Sequence, residues 1–186
     1  MATPIGHGLA GYAIRRLAAA PGDADGLPLS AFCTLLAVSA DLDFLPGLFL
    51  GQPALFHQGP SHSLAFAVGV GLLAAWLYGA LVETRRSLVA NWMLFAGAYG
   101  SHLLLDLFGP DNRAPYGIPL LWPGSEASFL SPWHIFRGVR HAGSATATTG
   151  EWLSEIVDLY NVGSIFIEVA VLLPVLLLAS RSDRRR

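Results

Sequence analysis

Charged residues are scarce in this sequence of 186 residues, and lysine is absent. Only 13% of the residues are charged, against about 25% in soluble domains, whereas 53% are hydrophobic and the mean hydropathy is +0.51. The net charge is −2, and the eleven basic residues, all arginine, form no continuous stripe, so we do not expect nucleic acid as a partner. The composition instead predicts a protein embedded in a lipid bilayer.

Cysteine is almost absent as well. Cys33 is the single cysteine, which excludes an internal disulfide and a cysteine-based zinc site. Its apolar neighbours predict a small packing residue. Met1 to Ala20 has no basic residues ahead of its apolar part, so we expect no cleaved secretory signal there.

Long uncharged runs predict membrane-spanning helices. Ser63 to Val82 has 20 residues without a charge and Leu88 to Leu105 has 18, close to the roughly 20 that cross a bilayer core. Leu159 to Ser180 is a third candidate. Two weaker segments are Pro4 to Ala20, which contains two arginines, and Leu27 to Ala40, with 14 residues. The predicted fold is all-α, a membrane bundle of about five helices in a single domain over residues 1–186.

The arginine positions predict the orientation of this bundle. By the positive-inside rule, the arginines between and after the apolar segments are cytoplasmic. Five crossings satisfy the rule for eight of the eleven arginines, which are Arg15, Arg16, Arg85, Arg86, Arg181, Arg184, Arg185 and Arg186. Arg113, Arg137 and Arg140 then lie in a long outer loop from about Phe108 to Val162. A loop of this length is often functional.

Histidine and aspartate collect at the predicted outer ends of the helices. The orientation was set from arginine alone, so this convergence is partly independent evidence for a shared site. A single histidine at a helix end is more often a cap or an interface residue, but ionisable groups at membrane depth are costly and indicate function when they cluster. The candidate metal ligands are His7, Asp41, Asp43, His57, His62, His102 and Asp106.

The spacing of these residues supports a metal site. His102 and Asp106 are four residues apart, so they lie on one side of a helix and can reach one metal or form a carboxylate–histidine pair. Asp41 and Asp43, two apart in a non-helical turn, can both point into a shared site. Imidazole and carboxylate together favour zinc, manganese or iron, and zinc is the commonest choice for activating water. Seven groups exceed the needs of one ion and favour two divalent ions, about 3.5–4 Å apart.

Pro60 favours a helix start here, with either Ser61 as the N-cap or Pro60 itself in the first turn, which puts His57 in the preceding loop and His62 in the first helical turn. Two further histidines, His134 and His141, lie in the outer loop and are weaker candidates.

Other polar residues have two interpretations each. Glu168 is either a ligand or general base, or a polar contact to a neighbouring helix. Arg137 and Arg140 either contact an anionic substrate or are solvated loop charges.

Five motifs occur in order between Pro4 and Pro123: GHGLAGY, SADLDFLP, HQGPSHSL, HLLLD and GIPLLWP. Their order and spacing resemble the YdjM-like inner-membrane metal-dependent hydrolases. In motif layout that family is similar to the zinc-dependent phospholipase C and single-strand nuclease superfamily, which consists of helical proteins with His and Asp metal ligands. The resemblance implies roles as ligands or near-ligands for His7, Asp41, Asp43, His57, His62, His102 and Asp106.

The sequence departs from the family pattern at two positions. Gln58 stands where the family commonly has arginine, and Ser61 stands where it usually has threonine. The first change removes a positive charge that could bind phosphate, and Arg137 is a candidate replacement.

These observations predict a membrane-bound, metal-dependent hydrolase in the cell inner membrane, with its site on the outer face. Metal-activated water would attack an ester or phosphoester, including one in a lipid, and a nearby carboxylate would take the proton. A serine nucleophile at Ser61 or Ser63 is disfavoured, because GPSHS lacks the Gly-x-Ser-x-Gly turn. The alternative is a membrane protein that binds or transports metal without hydrolysis. Transport requires ionisable groups through the midplane, whereas these gather at one end.

Overall fold

A computed structural model describes residues 1–19, 27–112, 114–141 and 147–183. The described residues are largely helical, with one isolated pairing between Ile118 and Phe129, which confirms the all-α prediction. Arg184 to Arg186, which contributed to the predicted orientation, and Arg113, which was predicted in the outer loop, lie outside the described residues. The α-helices are α1 (Pro4–Leu17), α2 (Leu27–Val38), α3 (Phe44–Phe49), α4 (Leu64–Leu81), α5 (Leu88–Leu107), α6 (Thr149–Ile156) and α7 (Leu159–Asp183).

Four helical segments in the described residues are long and apolar enough to cross a membrane. They are Leu27–Phe49, Leu64–Leu81, Leu88–Leu107 and Leu159–Ser180. The first is longer than the sequence indicated, because a 3-10 turn and α3 continue α2 to 23 residues. Helix α1 has 14 residues and is about 21 Å long, short of a hydrocarbon core of about 30 Å. The described residues therefore contain four candidate spans where the sequence predicted five crossings.

Helix α1 lies in the middle of the bundle and contacts α2, α5 and α7. Small residues make this possible, because they let helix backbones approach closely. A Cβ atom on Gly11 would lie 2.5 Å from the Cβ of Ala37 and 2.5 Å from the carbonyl oxygen of Cys33, both on α2. Cys33 is fully buried in this contact, as expected for a small packing residue.

Helices α4 and α5 form an antiparallel hairpin. Their backbones touch at Gly71, where an added Cβ would lie 2.6 Å from the backbone nitrogen of Ala96. Helix α4 begins at Leu64, later than either predicted start, because Pro60–His62 form a separate 3-10 turn. Ser63 then caps α4 by accepting a hydrogen bond from the backbone N–H of Phe66 at 3.2 Å.

The connection between α5 and α6 packs over one end of the bundle. Ile118 is buried there against Tyr99 and Leu103 of α5. The backbone N–H of Leu64 donates to the carbonyl of Leu120 at 3.0 Å, which ties this connection to the start of α4. The same end of the hairpin carries the predicted metal ligands.

The close approach of α1 and α2 predicts opposite effects for two Gly→Ala changes. In an exposed helix interior, Gly→Ala stabilises by up to about 1 kcal/mol, as expected for Gly100 of α5, where an added Cβ meets open space. Gly11→Ala should instead lower the free energy of unfolding by about 1–3 kcal/mol, because it overpacks the contact with α2. Thermal unfolding in detergent measures both changes. An unfolding temperature raised in both variants would contradict the close packing at Gly11.

Candidate metal centre

The structure brings all seven predicted ligands to one end of the bundle. They form three overlapping groups, in each of which the potential ligand atoms lie within 4.8 Å of one another. His102 belongs to the first two groups and His62 to the last two, so the groups make one continuous row. The groups are His7, His102 and Asp106; Asp41, His62 and His102; and Asp43, His57 and His62.

Helix ends and tight turns position these side chains. His7 lies in the first half of α1, and His102 and Asp106 lie near the end of α5, one turn apart. Asp41 and Asp43 lie on the 3-10 turn Ser39–Asp43, and His62 ends the turn before α4. Only the α5 pair follows directly from helical spacing, since the others depend on how separate segments meet.

The tautomer of His102 follows from its environment. Its Nδ1 lies 2.8 Å from the carbonyl oxygen of Ala37, which can only accept, so Nδ1 carries the proton and Nε2 presents a lone pair. This Nε2 lies 3.1 Å from Oδ2 of Asp106 and 3.5 Å from Oδ1 of Asp41. It also lies 3.2 Å from Nε2 of His62. The lone pair on Nε2 of His102 therefore faces three other atoms that also carry lone pairs, two carboxylate oxygens and one ring nitrogen.

His62 is oriented in the same way from the other side. Its Nδ1 lies 3.2 Å from Oδ2 of Asp43, so a proton on Nδ1 leaves Nε2 free to face His102. Burial lowers the pKa of His62, but hydrogen bonds to Asp41 and Asp43 outweigh burial and raise this pKa above its ordinary value. The surroundings of His62 thus favour a positive charge, which a proton or a metal cation can provide.

Buried atoms without hydrogen bonds lie beside this pair. Both ring nitrogens of His7 and Oδ2 of Asp106 make no hydrogen bond to the described residues. The His7 ring stacks on His102 with centroids 3.6 Å apart, and its Nε2 lies 3.3 Å from Oδ1 of Asp106. A buried polar atom left unpaired costs about 1–3 kcal/mol. The set of nitrogen and carboxylate oxygen atoms fits a divalent ion such as zinc.

The third group lies at the edge of the cluster. Nδ1 of His57 is 2.8 Å from Oδ1 of Asp43, and the Ser61 hydroxyl donates to Oδ2 of Asp43 at 2.8 Å. Burial lowers the pKa of His57 despite this contact with Asp43, so His57 is neutral near pH 7. The His57 ring also stacks on Phe44, with centroids 3.7 Å apart. Neutral imidazole is the form that binds a metal.

A cavity of about 560 Å³ adjoins this edge. Asp43 and Ser61 line it, and most of the remaining wall is apolar. The apolar wall includes Leu42, Pro46, Phe56, Phe66, Val70 and Tyr99. The cavity is within the usual size range for small-molecule sites.

Glu168 is placed as a contact to a neighbouring helix rather than as a ligand. It is fully buried in α7, where Oε1 accepts from the backbone N–H of Thr3 at 2.7 Å and Oε2 accepts from the Thr3 hydroxyl. The same hydroxyl oxygen caps α1 by accepting from the N–H of Gly6 at 3.1 Å. Glu168 therefore holds the start of the helix that carries His7.

The weaker candidates occupy different places. His134 is exposed, whereas the His141 ring lies edge-on to His57 with centroids 6.1 Å apart. Arg137 and Arg140 both stack on the ring of Tyr160, at 4.0 and 4.1 Å from its centroid. No contact within the described residues brings Arg137 to the cluster, so the suggested replacement for the family arginine has no structural support.

Gln58, which stands where the family commonly has arginine, makes a side-chain hydrogen bond. Its side-chain amide donates to Oδ2 of Asp111 at 3.2 Å, and the same oxygen accepts from the backbone N–H of Gly117 at 2.7 Å. Gln58 thus ties the loop before α4 to the connection that follows α5. The sequence gives no signal for this pairing, nor for the Ala37 carbonyl that orients His102.

Comparison with known proteins gave one family and one curated relative. A model of the YdjM inner membrane protein family matches residues 1–185. Inner membrane protein YbcI of Escherichia coli (strain K12) is 31% identical over 106 residues, which is 55% of this chain and 58% of YbcI. The match thus spans somewhat more than half the length of the relative. No solved structure matches the chain.

The pair on α5 predicts a loss of bound metal on substitution. His102→Ala and Asp106→Ala each remove an atom that faces the shared row, so metal content after purification in detergent should fall in both variants. His134→Ala removes an exposed histidine and should leave metal content unchanged. Elemental analysis by mass spectrometry measures the metal-to-protein ratio. A ratio equal to wild type in both α5 variants would remove this pair from the site.

Proposed function

The chain belongs to the YdjM inner membrane protein family, and on that premise we propose that it is a metal-dependent hydrolase whose His/Asp cluster holds divalent ions. Zinc is the first candidate, and the row of three overlapping ligand groups supports two ions rather than one. The predicted orientation of the arginines supports an outer-face site.

One observation carries this proposal. Nε2 of His62 and Nε2 of His102 lie 3.2 Å apart, and Oδ2 of Asp106 lies 3.1 Å from Nε2 of His102. Lone pairs at these distances repel one another unless a cation lies among them. A proton between His62 and His102 would neutralise that contact, but both ring nitrogens of His7 would still lack a hydrogen bond in the adjoining group, which favours metal ions.

A divalent ion bound here would supply Lewis acidity and would lower the pKa of bound water towards about 7. The three carboxylates of the cluster differ in how far their side chains are exposed to solvent. Asp106 is enclosed, with a side chain that is 0% exposed, and is suited only to binding. Asp41 and Asp43 are 17% and 11% exposed, and Asp43 also lines the adjoining cavity. Asp43 is therefore the better placed carboxylate to accept a proton during hydrolysis.

Ser61 holds Asp43 in position rather than acting as a nucleophile. Its hydroxyl donates to Asp43, and its backbone carbonyl accepts from the Tyr99 hydroxyl at 2.7 Å. With its proton directed to a carboxylate, Ser61 keeps Oδ2 of Asp43 fixed at the mouth of the cavity.

The lining of the cavity supports a lipid as the substrate class. Phe56 and Phe66 line it and are 47% and 37% exposed on the surface of the bundle. An ester or phosphoester of a lipid can place its polar group at Asp43 and its apolar part along this wall. The lack of a contact between Arg137 and the cluster leaves a carboxylic ester and a phosphoester as parallel candidates for the scissile bond.

The alternative function, binding or transport of metal without hydrolysis, draws support from the depth of the row. His7 at its inner end is fully buried. Further along the same helix, however, the next charged side chain is Arg15, which is 1% exposed. A buried arginine repels a metal cation, which argues against a path through the bundle along α1.

Removal of either histidine before α4 should abolish hydrolysis. His57→Ala and His62→Ala are each expected to lower metal-dependent cleavage of bis(p-nitrophenyl) phosphate and of p-nitrophenyl butyrate by at least about tenfold, because each removes a ligand or its partner. His134→Ala should retain wild-type activity. Membrane insertion of all three variants, measured by resistance to alkaline extraction, should stay intact. Wild-type metal content and wild-type activity in both His57→Ala and His62→Ala would refute the hydrolase proposal.

Metal occupancy and hydrolysis should fall together in acid. Protons compete with the metal for imidazole, so both quantities should decrease as the pH drops through about 6. The pKa of His62 is raised and that of His57 is lowered, so His62 should be protonated at a higher pH than His57. Equilibrium dialysis against zinc and initial rates measure the two curves, with circular dichroism as the control for helix content. Full zinc occupancy at pH 5 would contradict imidazole ligation.

A further inference from the structure

A second cavity lies at the opposite end of the α4–α5 hairpin. It has a volume of about 410 Å³ and lies where α4 ends and α5 begins, whereas the metal centre lies at the start of α4 and the end of α5. Asn91 and His102 on α5 are 11 residues apart, or about 16 Å along the helix axis. The two sites are therefore separate. The cavity is lined by Ala75, Trp76, Gly79, Ala80, Thr84, Arg86, Leu88 and Asn91.

Asn91 is the first sign that this cavity takes a ligand. Its side chain lines the cavity and is 1% exposed, yet its Oδ1 makes no hydrogen bond to the described residues. A buried amide without a partner is destabilising by about 1–3 kcal/mol. Oδ1 is an acceptor, so a hydrogen-bond donor supplied by a ligand removes this penalty.

The charge of the cavity indicates an anion. Among the described residues that line it, Arg86 is the charged one, and its Nη1 donates to the carbonyl of Ala18 at 3.3 Å. The cavity also contains Leu88, the first residue of α5, a helix of 20 residues whose first-turn N–H groups point towards this end. A helix N-terminus and an arginine together form a favourable site for phosphate.

The remaining wall is largely apolar and opens onto the exposed surface of the bundle. Trp76 and Leu88 line the cavity and are 60% and 50% exposed, on spans that are apolar enough to cross a membrane. Tryptophan is enriched at the level of lipid headgroups. Basic pockets between spanning helices bind anionic lipid headgroups.

We propose that this cavity binds the phosphate headgroup of an anionic phospholipid in the leaflet opposite the metal centre. Arg86 and the N-terminus of α5 contact the phosphodiester, and Asn91 pairs with a hydroxyl group of the headgroup. The acyl chains extend past Trp76 into the surrounding bilayer. This inference does not depend on hydrolysis at the other end of the bundle.

Two glycines on α4 give a matched test. A Cβ atom on Gly79, which lines the cavity, or on Gly69, which does not, would meet open space. Gly79→Leu should therefore fill the cavity without a backbone clash, and Gly69→Leu should leave it open. Each protein is purified in detergent, incubated with phosphatidylglycerol or phosphatidylcholine, and analysed by native mass spectrometry for retained lipid. Phosphatidylglycerol retention should fall about tenfold in Gly79→Leu only, comparable to the loss of one hydrogen bond to a charged group.

A second pair keeps the result interpretable if Gly79→Leu unfolds. Arg86→Gln removes the arginine at the cavity, and Arg85→Gln removes the same charge at an exposed neighbour. Retention of phosphatidylglycerol should fall in Arg86→Gln and persist in Arg85→Gln. Unchanged metal content shows that each variant keeps the distant metal centre.

The source of the phosphate is tested with soluble probes. Inorganic phosphate and glycerol phosphate, added at millimolar concentration, should not displace phosphatidylglycerol from the wild type, because they lack the acyl chains that contact the wall. Displacement by either probe would overturn the lipid assignment in favour of a soluble phosphate. Equal retention of phosphatidylglycerol and phosphatidylcholine, or equal retention in both members of both variant pairs, would overturn the site itself.

Discussion

The candidate metal centre depends on the balance of charge among histidine nitrogens and carboxylate oxygens that are buried close together. His62 and His102 point ring nitrogens at each other, and Asp41 and Asp106 add carboxylate oxygens to the same space. His62, His102 and Asp106 are buried, so little bulk water reaches the space between them. A positive charge among these groups would stabilise the arrangement, and the surrounding helices bring together His and Asp groups that could hold a metal ion.

Close helix packing provides that arrangement. Gly11 lets α1 approach α2, and Gly71 lets α4 approach α5, so two helix pairs meet at backbone distance. The carbonyl of Ala37, on α2, can then reach His102 on α5 and fix which nitrogen carries the proton. The geometry of the cluster therefore depends on small residues outside it, and their close contacts let the short helix α1 pack against its neighbours.

Local pattern predicted much of this architecture, and tertiary contact determined the rest. Apolar runs identified α4, α5 and α7 because bilayer thickness sets their length, and the four-residue spacing placed His102 and Asp106 on one face of α5. The length of the second span could not be predicted, because a 3-10 turn lets the chain continue through Asp41 and Asp43 as helix. Glu168 had two interpretations, and the choice depended on the approach of α7 to Thr3, which no local pattern records.

The bond between Glu168 and Thr3 links residues 165 positions apart in the sequence. During synthesis α1 emerges before α7, so the backbone N–H of Thr3 lacks this acceptor until α7 has been made. His7 follows Thr3 by one helical turn and takes its position from it. Alignment of His7 consequently waits for α7, and a nascent chain that lacks α7 carries the histidines without this contact.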